Sequence, residues 1–372
     1  MPIQVHSEIG RLRRVLVHRP GREIDRMVPS MMESLLFDDI LFGDDAREEH
    51  EAFRRVLEIA GAEVLDPQDL LAEVLAEEGP RRAMLAELEA DYGASPALIT
   101  RLADLDPQAL AATLVEGVIS PFPEVARRDI FDLGPVPNYF FQRDPLLSVG
   151  DRVVVSSMAT EAREREPLLN RMVLRHHPRF VGANVSEIDV PPSGAPQHDP
   201  HFPYPTLEGG DVLLASEEIV CIGVSERTNG RGVDVFAQLL RARPGKFRHL
   251  VLVELPSSRS YMHLDTVFTF IDHGLCLAHM PVIEPGRSRS ARVFYIDLTS
   301  RELTYAVRPS LLAALADLGL NLEVVPCGGA DALDQEREQW TDGANAFAVA
   351  PGVILLYRRN RRTMEELSRR GW

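Results

Sequence analysis

The sequence predicts an α/β protein built from about five repeats of a strand–strand–helix–strand unit, arranged in a ring or an array. Two patterns carry this prediction. A helix, a glycine and a strand follow one another at 53–65 and again at 311–325, where apolar residues first recur with the helical period and then run continuously. Ahead of the helices, pairs of short apolar runs flank turns rich in glycine or acidic residues, as in β-hairpins.

The paired strands are predicted at 143–158, 210–228, 263–282 and 342–360, and residues 3–20 form a more polar version of the same element. An acidic residue stands at or beside the start of each of the four. If the units close into a ring, the starts of equivalent strands surround one centre. The charged residues at these positions would then converge on a single site.

Residues 67–125 break this pattern and are predicted to be helical throughout. Three dipeptides inside or beside this stretch place an N-cap residue before a proline in the first helical position: Asp66-Pro67, Ser95-Pro96 and Asp106-Pro107. We interpret 67–125 as a helical bundle inserted into a single domain that spans 1–372. A separate interaction domain is the alternative.

The last ten residues, 363–372, are predicted to form a short helix. Thr363 and Glu366 have the spacing of a capping box, and Gly371 stands at the C-terminal end of the helix. Because Gly319 leads from a helix into a strand, a strand is expected to follow Gly371 as well.

Composition excludes several classes of function. The net charge of −16 argues against nucleic acid or an anionic membrane surface as a partner. No apolar run reaches the roughly 18 residues that span a membrane, and the N-terminus lacks the regions of a signal peptide. The three cysteines, Cys221, Cys276 and Cys327, include no CxxC pair, which makes a disulfide framework or a structural zinc site unexpected. A reducing, cytoplasmic location is predicted.

Charged residues mark the ends of the predicted strands: Arg143-Asp144, Arg163, Glu208, Asp211, Arg227, His263, Asp265 and Asp342. Carboxylates bind cations, and a planar guanidinium suits them best because it donates paired hydrogen bonds. The arginines suit an anionic group such as a carboxylate. A ligand that carries both charges is an amino acid like arginine.

Most of these residues also have a purely structural interpretation. Asp144 and Asp211 could be turn residues, Asp211 because it follows two glycines. Arg163 lies in a charge-rich run that is typical of a solvated helix face. Arg227 could form a surface ion pair with Glu226, which would contribute little.

His263 and Asp265 are two residues apart on a predicted strand, so their side chains would share one face. Such a pair suits general acid–base chemistry. Together with Glu208 the two could also form a facial metal-binding triad. The arginines nearby would repel a cation, and therefore no metal is expected.

Seven segments resemble, in family order, those of the arginine deiminases: SEIGRLRRVLVHRPG, LLFDDILFGDDAREEHEAF, PNYFFQRDP, LEGGDVL, IGVSERT, MHLDTVFT and QWTDGANAFAVAPGVILLYRRN. The resemblance covers nearly the whole chain. It implies the pentein fold of the guanidino-group-modifying enzymes, a five-bladed pseudo-symmetric ring of ββαβ units. It also implies hydrolysis of L-arginine to L-citrulline and ammonia, a step of arginine catabolism, without a metal or organic cofactor.

The resemblance assigns four residues to the chemistry. Asp144 and Asp265 would bind the guanidinium, His263 would be the general acid and base, and Glu208 would orient His263. A thiolate would attack the guanidinium carbon and form a covalent thiouronium intermediate.

Four further residues would bind or support the substrate. By the same resemblance, Asn138, Arg163 and Arg227 would hold the α-amino-acid end of L-arginine. Asp211 would support the residues that touch it.

The nucleophilic cysteine of the family lies in a loop resembling RGGPRCMSMP, after the last helix and one more strand. Residues 1–372 contain no such loop. Cys221 and Cys276 lie within apolar strands and are expected to be small buried hydrophobes. Cys327, in VVPCGGAD, lies on a loop whose sequence differs from that of the family.

The 372-residue chain is therefore expected to be inactive as an arginine deiminase. A non-catalytic protein that binds arginine is the first alternative. An amidinotransferase or a deiminase of modified arginine is the second. The sequence leaves open the oligomeric state, a homo-oligomer included, and the role of the helical insertion.

Overall fold

Short mixed sheets and helices alternate along the chain in the computed structural model, which describes residues 3–121, 130–188, 204–242 and 246–372. Strand β1 (Arg14–Leu16) leads through helix α1 (Gly43–Ile59) to strand β2 (Glu63–Leu65), which pairs with β1 in parallel. Gly61, with φ of 90°, lets the chain leave the helix for the strand at little steric cost.

The N-terminal hairpin predicted over 3–20 is wrong. Val5 forms a single bridge with Gly150, and Leu12 donates to the carbonyl of Val349. Glu8 also donates to the carbonyl of Leu214, so the segment before β1 bonds to three distant hairpins instead of forming a local partner strand.

Helices follow β2, as predicted for this stretch: α2 (Pro67–Leu75), α3 (Glu78–Asp91), α4 (Pro96–Ala103) and α5 (Pro107–Glu116). The three predicted N-caps are present, since the side chains of Asp66, Ser95 and Asp106 accept hydrogen bonds from first-turn backbone N–H groups. Strand β3 (Val118–Ile119) comes next and pairs with β4 (Phe131–Leu133). The prediction that 67–125 is helical throughout is therefore wrong at 118–119, because Gly117, with φ of 78°, ends α5. Residues 122–125 of the predicted insertion lie outside the described residues, and its status as an inserted unit stays a prediction.

Three sheets within the described residues contain a ββαβ pattern, in which an antiparallel hairpin is joined by a third strand parallel to its second strand. The first has β5 (Leu146–Val149), β6 (Arg152–Val155), α6 (Glu166–His176) and β7 (Asn184–Glu187). The second has β8 (Val212–Leu214), β9 (Ile219–Val224), α7 (Gly230–Ala242) and β10 (His249–Glu254).

The third pattern has β11 (Phe268–Asp272), β12 (Leu275–Ala278) and, after a longer connection, α9 (Leu311–Asp317) and β15 (Glu323–Pro326). That connection contains helix α8 (Met280–Ile283) and strands β13 (Arg292–Asp297) and β14 (Ala306–Arg308). Both strands extend the second sheet, whose order is β14-β13-β10-β9-β8. Closure of the repeats into a five-bladed ring stays a prediction.

The described chain closes with α10 (Ala332–Trp340), the hairpin of β16 (Phe347–Ala350) and β17 (Val353–Leu355), and α11 (Arg361–Arg369). The capping box predicted at Thr363 is wrong, because α11 begins two residues earlier. The carboxylate of Glu338 accepts hydrogen bonds from the backbone N–H groups of Arg362 and Thr363 at 2.7 and 2.8 Å, and so caps the helix from outside. Gly371 ends α11 as predicted, with φ of 89°.

The apolar cores lie between these elements. One core joins the helices α2–α5 to α6, through residues such as Leu71, Leu114 and Leu168, so these helices pack on the helix of the first ββαβ unit. A second core contains residues of the second and third sheets, and another contains residues of the first and second sheets. Every helix in the described part of the chain is too short or too polar to cross a membrane.

Candidate active site

The candidate site is built from turns that precede strands. Asp144 stands before β5, Glu208 before the 3-10 turn Gly209–Asp211 that leads into β8, and His263 before the 3-10 turn Leu264–Thr266 that leads into β11. All three side chains are buried. Charged residues at strand starts were predicted to converge, and Asp144, Glu208 and His263 do so.

The prediction that His263 and Asp265 share one face of a strand is wrong, because residues 264–266 form a 3-10 turn. The carboxylate of Asp211 accepts a hydrogen bond from the backbone N–H of Leu264 at 2.9 Å, and the Thr266 hydroxyl donates to the carbonyl of His263 at 2.7 Å. These hydrogen bonds stabilise the turn, and β11 begins only at Phe268.

His263 lies against two carboxylates. Its Nε2 is 2.9 Å from Oε2 of Glu208 and 3.8 Å from Oδ1 of Asp144. The other oxygen of Glu208 accepts from the backbone N–H of Ala159 at 3.1 Å, and Asp144 Oδ1 accepts from the N–H of Gly210 at 3.2 Å. A Cβ at Gly210 would lie 2.8 Å from Cγ of His263, so this close packing requires glycine.

The three groups stabilise one another in their charged forms. Burial disfavours a charged imidazole, but the charge of Asp144 and the hydrogen bond to Glu208 outweigh it and raise the pKa of His263 to about 10. Burial likewise works against the two carboxylates, and the cations His263 and Arg163 nevertheless hold the pKa values of Asp144 and Glu208 below their ordinary range. At neutral pH the site thus contains an imidazolium and two carboxylates.

Asp265 is a third acid at this site and is only 9% exposed. Burial raises its pKa to about 7, against the attraction of His263 and Arg143. Among the described residues its one ion pair is with Arg143, with Nε 4.0 Å from Oδ2, and that guanidinium is engaged by both oxygens of Glu8 at 3.0 and 3.1 Å. Asp265 is therefore weakly paired and suits an added cation.

Arg163 is buried rather than part of a solvated helix face. Its Nη1 donates to Oδ2 of Asp144 at 2.6 Å, and its Nε and Nη2 donate to the two oxygens of Glu166 at 3.0 and 2.8 Å. Glu166 was not predicted as a site residue; it is fully buried, and burial raises its pKa to about 7. The three-residue spacing from Arg163 was the available signal, because it suits an ion pair on one helical turn.

Asn138 and Arg227 are both buried and differ in what they contact. The Asn138 amide donates to the carbonyl of Leu35 at 2.8 Å. The Arg227 guanidinium contacts the sulfur of Met262 at 3.5 Å, and within the described residues no carboxylate lies at ion-pair distance from it. The surface pair between Arg227 and Glu226 is thus not formed, and Arg227 is a buried cation suited to an anionic group.

Two acids lie outside direct contact with the imidazole. Asp211 accepts from the Ser225 hydroxyl at 2.7 Å and from the Leu264 N–H, so it anchors the turn that carries His263; burial raises its pKa to about 6. Asp342 lies 3.9 Å from Nη2 of Arg359. No contact recorded for the described residues joins Asp342 to the other site residues.

One group of potential metal ligands lies here. Among the described residues, single ligand atoms of Asp144, Glu208 and His263 lie within 4.8 Å of one another. Asp144 thus replaces Asp265 in the triad considered from the sequence. The guanidinium of Arg163, at 2.6 Å from Asp144 and 3.9 Å from Glu208, already supplies positive charge to two of the three ligands and disfavours a metal ion.

All three cysteines are buried. Cys221 lies in β9 and Cys276 in β12, both within one apolar cluster, as predicted for small buried hydrophobes. Cys327 follows β15, is fully buried and lies beside Thr363 and Glu338. Burial raises the pKa of Cys327 and of Cys276 to about 12, and that of Cys221 still higher, so each thiol is protonated at neutral pH.

Comparison with known proteins gives a consistent result. The family model described as arginine deiminase matches residues 33–120 and 122–372. The arginine deiminase of Bacillus cereus (strain B4264) is 36% identical over 378 residues, covering 96% of this chain and 89% of that relative.

Two solved structures share the fold at low sequence identity. SxtG, an amidinotransferase from Microseira wollei, is 14% identical with a TM-score of 0.58, covering 100% of this chain and 89% of that one. A cysteine-to-serine mutant of DDAH from Pseudomonas aeruginosa, complexed with citrulline, is 16% identical with a TM-score of 0.51, covering 97% of this chain and 90% of that one. Both have the mixed α/β pentein fold.

Proposed function

This chain belongs to the arginine deiminase family, and from that premise we propose that its buried site binds L-arginine and supplies the acid–base groups of an arginine deiminase-type hydrolase. The observation that carries the proposal is the contact of His263 with two buried carboxylates, Glu208 at 2.9 Å and Asp144 at 3.8 Å. Asp265 beside them adds a weakly paired third acid.

The proposed binding mode matches charge to charge. The substrate guanidinium is planar and cationic, and Asp144 and Asp265 would accept its hydrogen bonds. Arg227, with no carboxylate partner among the described residues, would pair with the substrate α-carboxylate. Holding the guanidinium carbon in this way positions a poor electrophile for attack and can lower the barrier by several kcal/mol, up to about 7–11 in ideal cases.

In the proposed reaction a thiolate adds to the guanidinium carbon, and His263 donates its proton to the departing nitrogen. Ammonia leaves, and the carbon remains bound to sulfur as a thiouronium. The neutral imidazole of His263 then takes a proton from water, and the resulting hydroxide adds to the same carbon. Collapse expels the thiolate, and loss of the hydroxyl proton to solvent yields L-citrulline. The raised pKa of His263, about 10, means that the acid form required for the first step is the resting form.

The thiolate is the part of this reaction that residues 1–372 do not readily supply. Each of the three cysteines is buried, and burial raises its pKa far above neutral pH. A thiol in that state is a poor nucleophile. We therefore expect the 372-residue chain to bind L-arginine without releasing citrulline, which is also the behaviour of the alternative, a non-catalytic arginine-binding protein.

Two measurements on the 372-residue chain test the proposal. Calorimetric titration should detect L-arginine binding, and a colorimetric assay should detect no citrulline. Absence of binding at about millimolar L-arginine, an affinity of roughly 4 kcal/mol, would contradict the proposed site. Release of citrulline would show that one of the three cysteines, or water alone, serves as nucleophile. Parallel titrations with methylated arginines and with other amidino compounds would separate the deiminase assignment from a modified-arginine deiminase or an amidinotransferase.

The pH dependence of binding provides a further prediction. Because the pKa of Asp265 is raised to about 7, this acid is protonated at low pH and must lose its proton to accept a guanidinium. The affinity for L-arginine should rise up to about tenfold per pH unit below pH 7 and level off above it. Calorimetry in two buffers of different ionisation enthalpy should also register the released proton. The variant Asp265→Asn should bind more weakly and lose this dependence, and an unchanged dependence would assign the titration to another group.

The proposal extends to architecture and location. The ββαβ sheets and the pentein-fold relatives support closure of the repeats into a five-bladed ring, with residues 67–125 as an inserted helical bundle. The family assignment and the arginine substrate support a cytoplasmic enzyme of arginine catabolism. A homo-oligomer is compatible with this proposal, and light scattering of the purified chain would determine its state.

A further inference from the structure

The surroundings of Arg163 are those of a bound guanidinium ligand. One edge of its guanidinium faces both oxygens of Glu166, at 3.0 and 2.8 Å, and the other faces Asp144 at 2.6 Å. Its Nη2 also approaches the carbonyl of Phe141 at 3.2 Å, and the Phe141 ring centre lies 6.0 Å from the guanidinium carbon. Two carboxylates, carbonyl oxygens and an aromatic ring form a built site for a planar cation.

This arrangement leaves Arg163 little capacity to hold a substrate. The protein engages all three guanidinium nitrogens, and the side chain is 3% exposed. The one hydrogen on Nη1 that is not directed at Asp144 has Glu208 near it, with 3.9 Å between Nη1 and Oε2. The family resemblance assigns Arg163 to the substrate α-amino-acid end, and these contacts assign its donors to the protein.

The same contacts affect Asp144. Oδ2 of this carboxylate receives Arg163, and Oδ1 receives the N–H of Gly210 at 3.2 Å. A substrate guanidinium that pairs with Asp144 through both oxygens would therefore compete with Arg163 for Oδ2. Resting on the proposed function of the site, we propose that Arg163 is a built-in guanidinium that occupies the Asp144 side of the site and is displaced when a guanidino substrate binds.

In this role Arg163 determines specificity. Only a ligand that brings its own planar, cationic N–H donors can replace the contact that Asp144 loses. Glu166 retains the displaced guanidinium, because its paired hydrogen bonds to Nε and Nη2 do not involve Asp144. Ammonium-type cations such as ornithine cannot reproduce the paired geometry and should be excluded.

Binding of agmatine, which is arginine without its carboxylate, separates this role from the one implied by the family. If Arg163 competes for Asp144, the variant Arg163→Ala should bind agmatine roughly tenfold more tightly than the wild type, the equivalent of one charge-assisted hydrogen bond. If Arg163 instead grips the substrate carboxylate, agmatine binding should not change while L-arginine binding weakens. The second result would overturn the proposal.

Guanidinium itself provides a test that does not depend on arginine binding. About 20 mM guanidinium chloride should raise the thermal midpoint of Arg163→Ala above that in equal potassium chloride, because the ion refills the vacated site. The matched control is Arg165→Ala. Arg165 is also buried, but its recorded hydrogen bonds reach only the carbonyls of Leu114 and Gly134, so guanidinium should not stabilise its variant. No rescue of Arg163→Ala, or equal rescue of both, would contradict the proposal.

The two proposals fail in different ways. If the wild type does not bind L-arginine, the proposed function is wrong. If Arg163→Ala binds agmatine no more tightly than the wild type, or is not stabilised by guanidinium, the role proposed for Arg163 is wrong. If Arg163→Ala does not fold, Arg163→Lys serves instead. It keeps a cation beside Asp144 and removes the paired bonds to Glu166, and its agmatine affinity should exceed that of the wild type. An affinity at or below the wild-type value would overturn the inference.

Discussion

Replacing Asp144 with asparagine should weaken L-arginine binding by at least about 30-fold, because truncating one partner of a buried charge pair costs roughly 2–5 kcal/mol. The asparagine keeps the size of the side chain and can still accept from the Gly210 N–H, so the change is one of charge. Calorimetric titration of Asp144→Asn with L-arginine measures the loss, and thermal unfolding shows whether the variant remains folded.

The chain provides a matched control in Asp342→Asn. Asp342 also precedes a strand and was grouped with the site on sequence grounds, but its recorded ion pair is with Arg359 at 3.9 Å. This variant should bind L-arginine within about twofold of the wild type, since surface pairs of this kind contribute under about 1 kcal/mol. Equal losses in both variants would mean that total negative charge, rather than the contact made by Asp144, determines affinity.

The sequence identified the hairpins that carry the site because their signals are local. Alternating apolar runs and glycine- or acid-rich turns predict the strand pairs at 143–158, 210–228, 263–282 and 342–360, and all four are present. The N-terminal hairpin was wrong for the opposite reason. The partners of Val5 and Leu12 are Gly150 and Val349, and no local pattern specifies pairings across such separations.

Within the site, residue types could be predicted but their partners could not. Charged residues before strands led to Asp144, Glu208 and His263, which lie together. Charge patterns alone could not show that Arg163 would be buried against Glu166, because a run such as TEAREREP is usually solvated. The carboxylate of Glu166 becomes significant only when the fold removes it from water. Similarly, the 3-10 turn at His263 depends on Asp211, which is distant in sequence.

A second buried imidazole should make the stability of this protein depend on pH. His18, in the HRPG segment, is 1% exposed and lies between Glu23 and Asp66, each 3.2 Å from one ring nitrogen. The Tyr139 ring packs against it with 4.9 Å between ring centres. Burial disfavours the imidazolium, yet the hydrogen bonds to Asp66 and Glu23 outweigh it and raise the pKa of His18 to about 9.

The sign of the effect follows from that rise above the ordinary value of 6.5. The protonated form of His18 stabilises the folded state fully below pH 6.5, and this contribution is lost as the pH rises towards 9. A rise in pKa from 6.5 to about 9 corresponds to about 3 kcal/mol of unfolding free energy. The variant His18→Gln cannot be protonated, so it should be less stable than the wild type by about this amount at pH 6 and by much less at pH 9.

Urea unfolding of both proteins at about pH 6 and about pH 9 measures the difference in their free energies of unfolding. Subtracting the variant's value from that of the wild type cancels the contributions of the other titrating groups. The control is His177→Gln. His177 is also buried, but it contacts one carboxylate rather than two, that of the largely exposed Glu73 at 2.9 Å, and its Nδ1 accepts from the backbone N–H of Arg179 at 3.1 Å. A difference for His18→Gln that stays constant between the two pH values would mean that folding does not change the protonation of His18, and it would contradict the prediction.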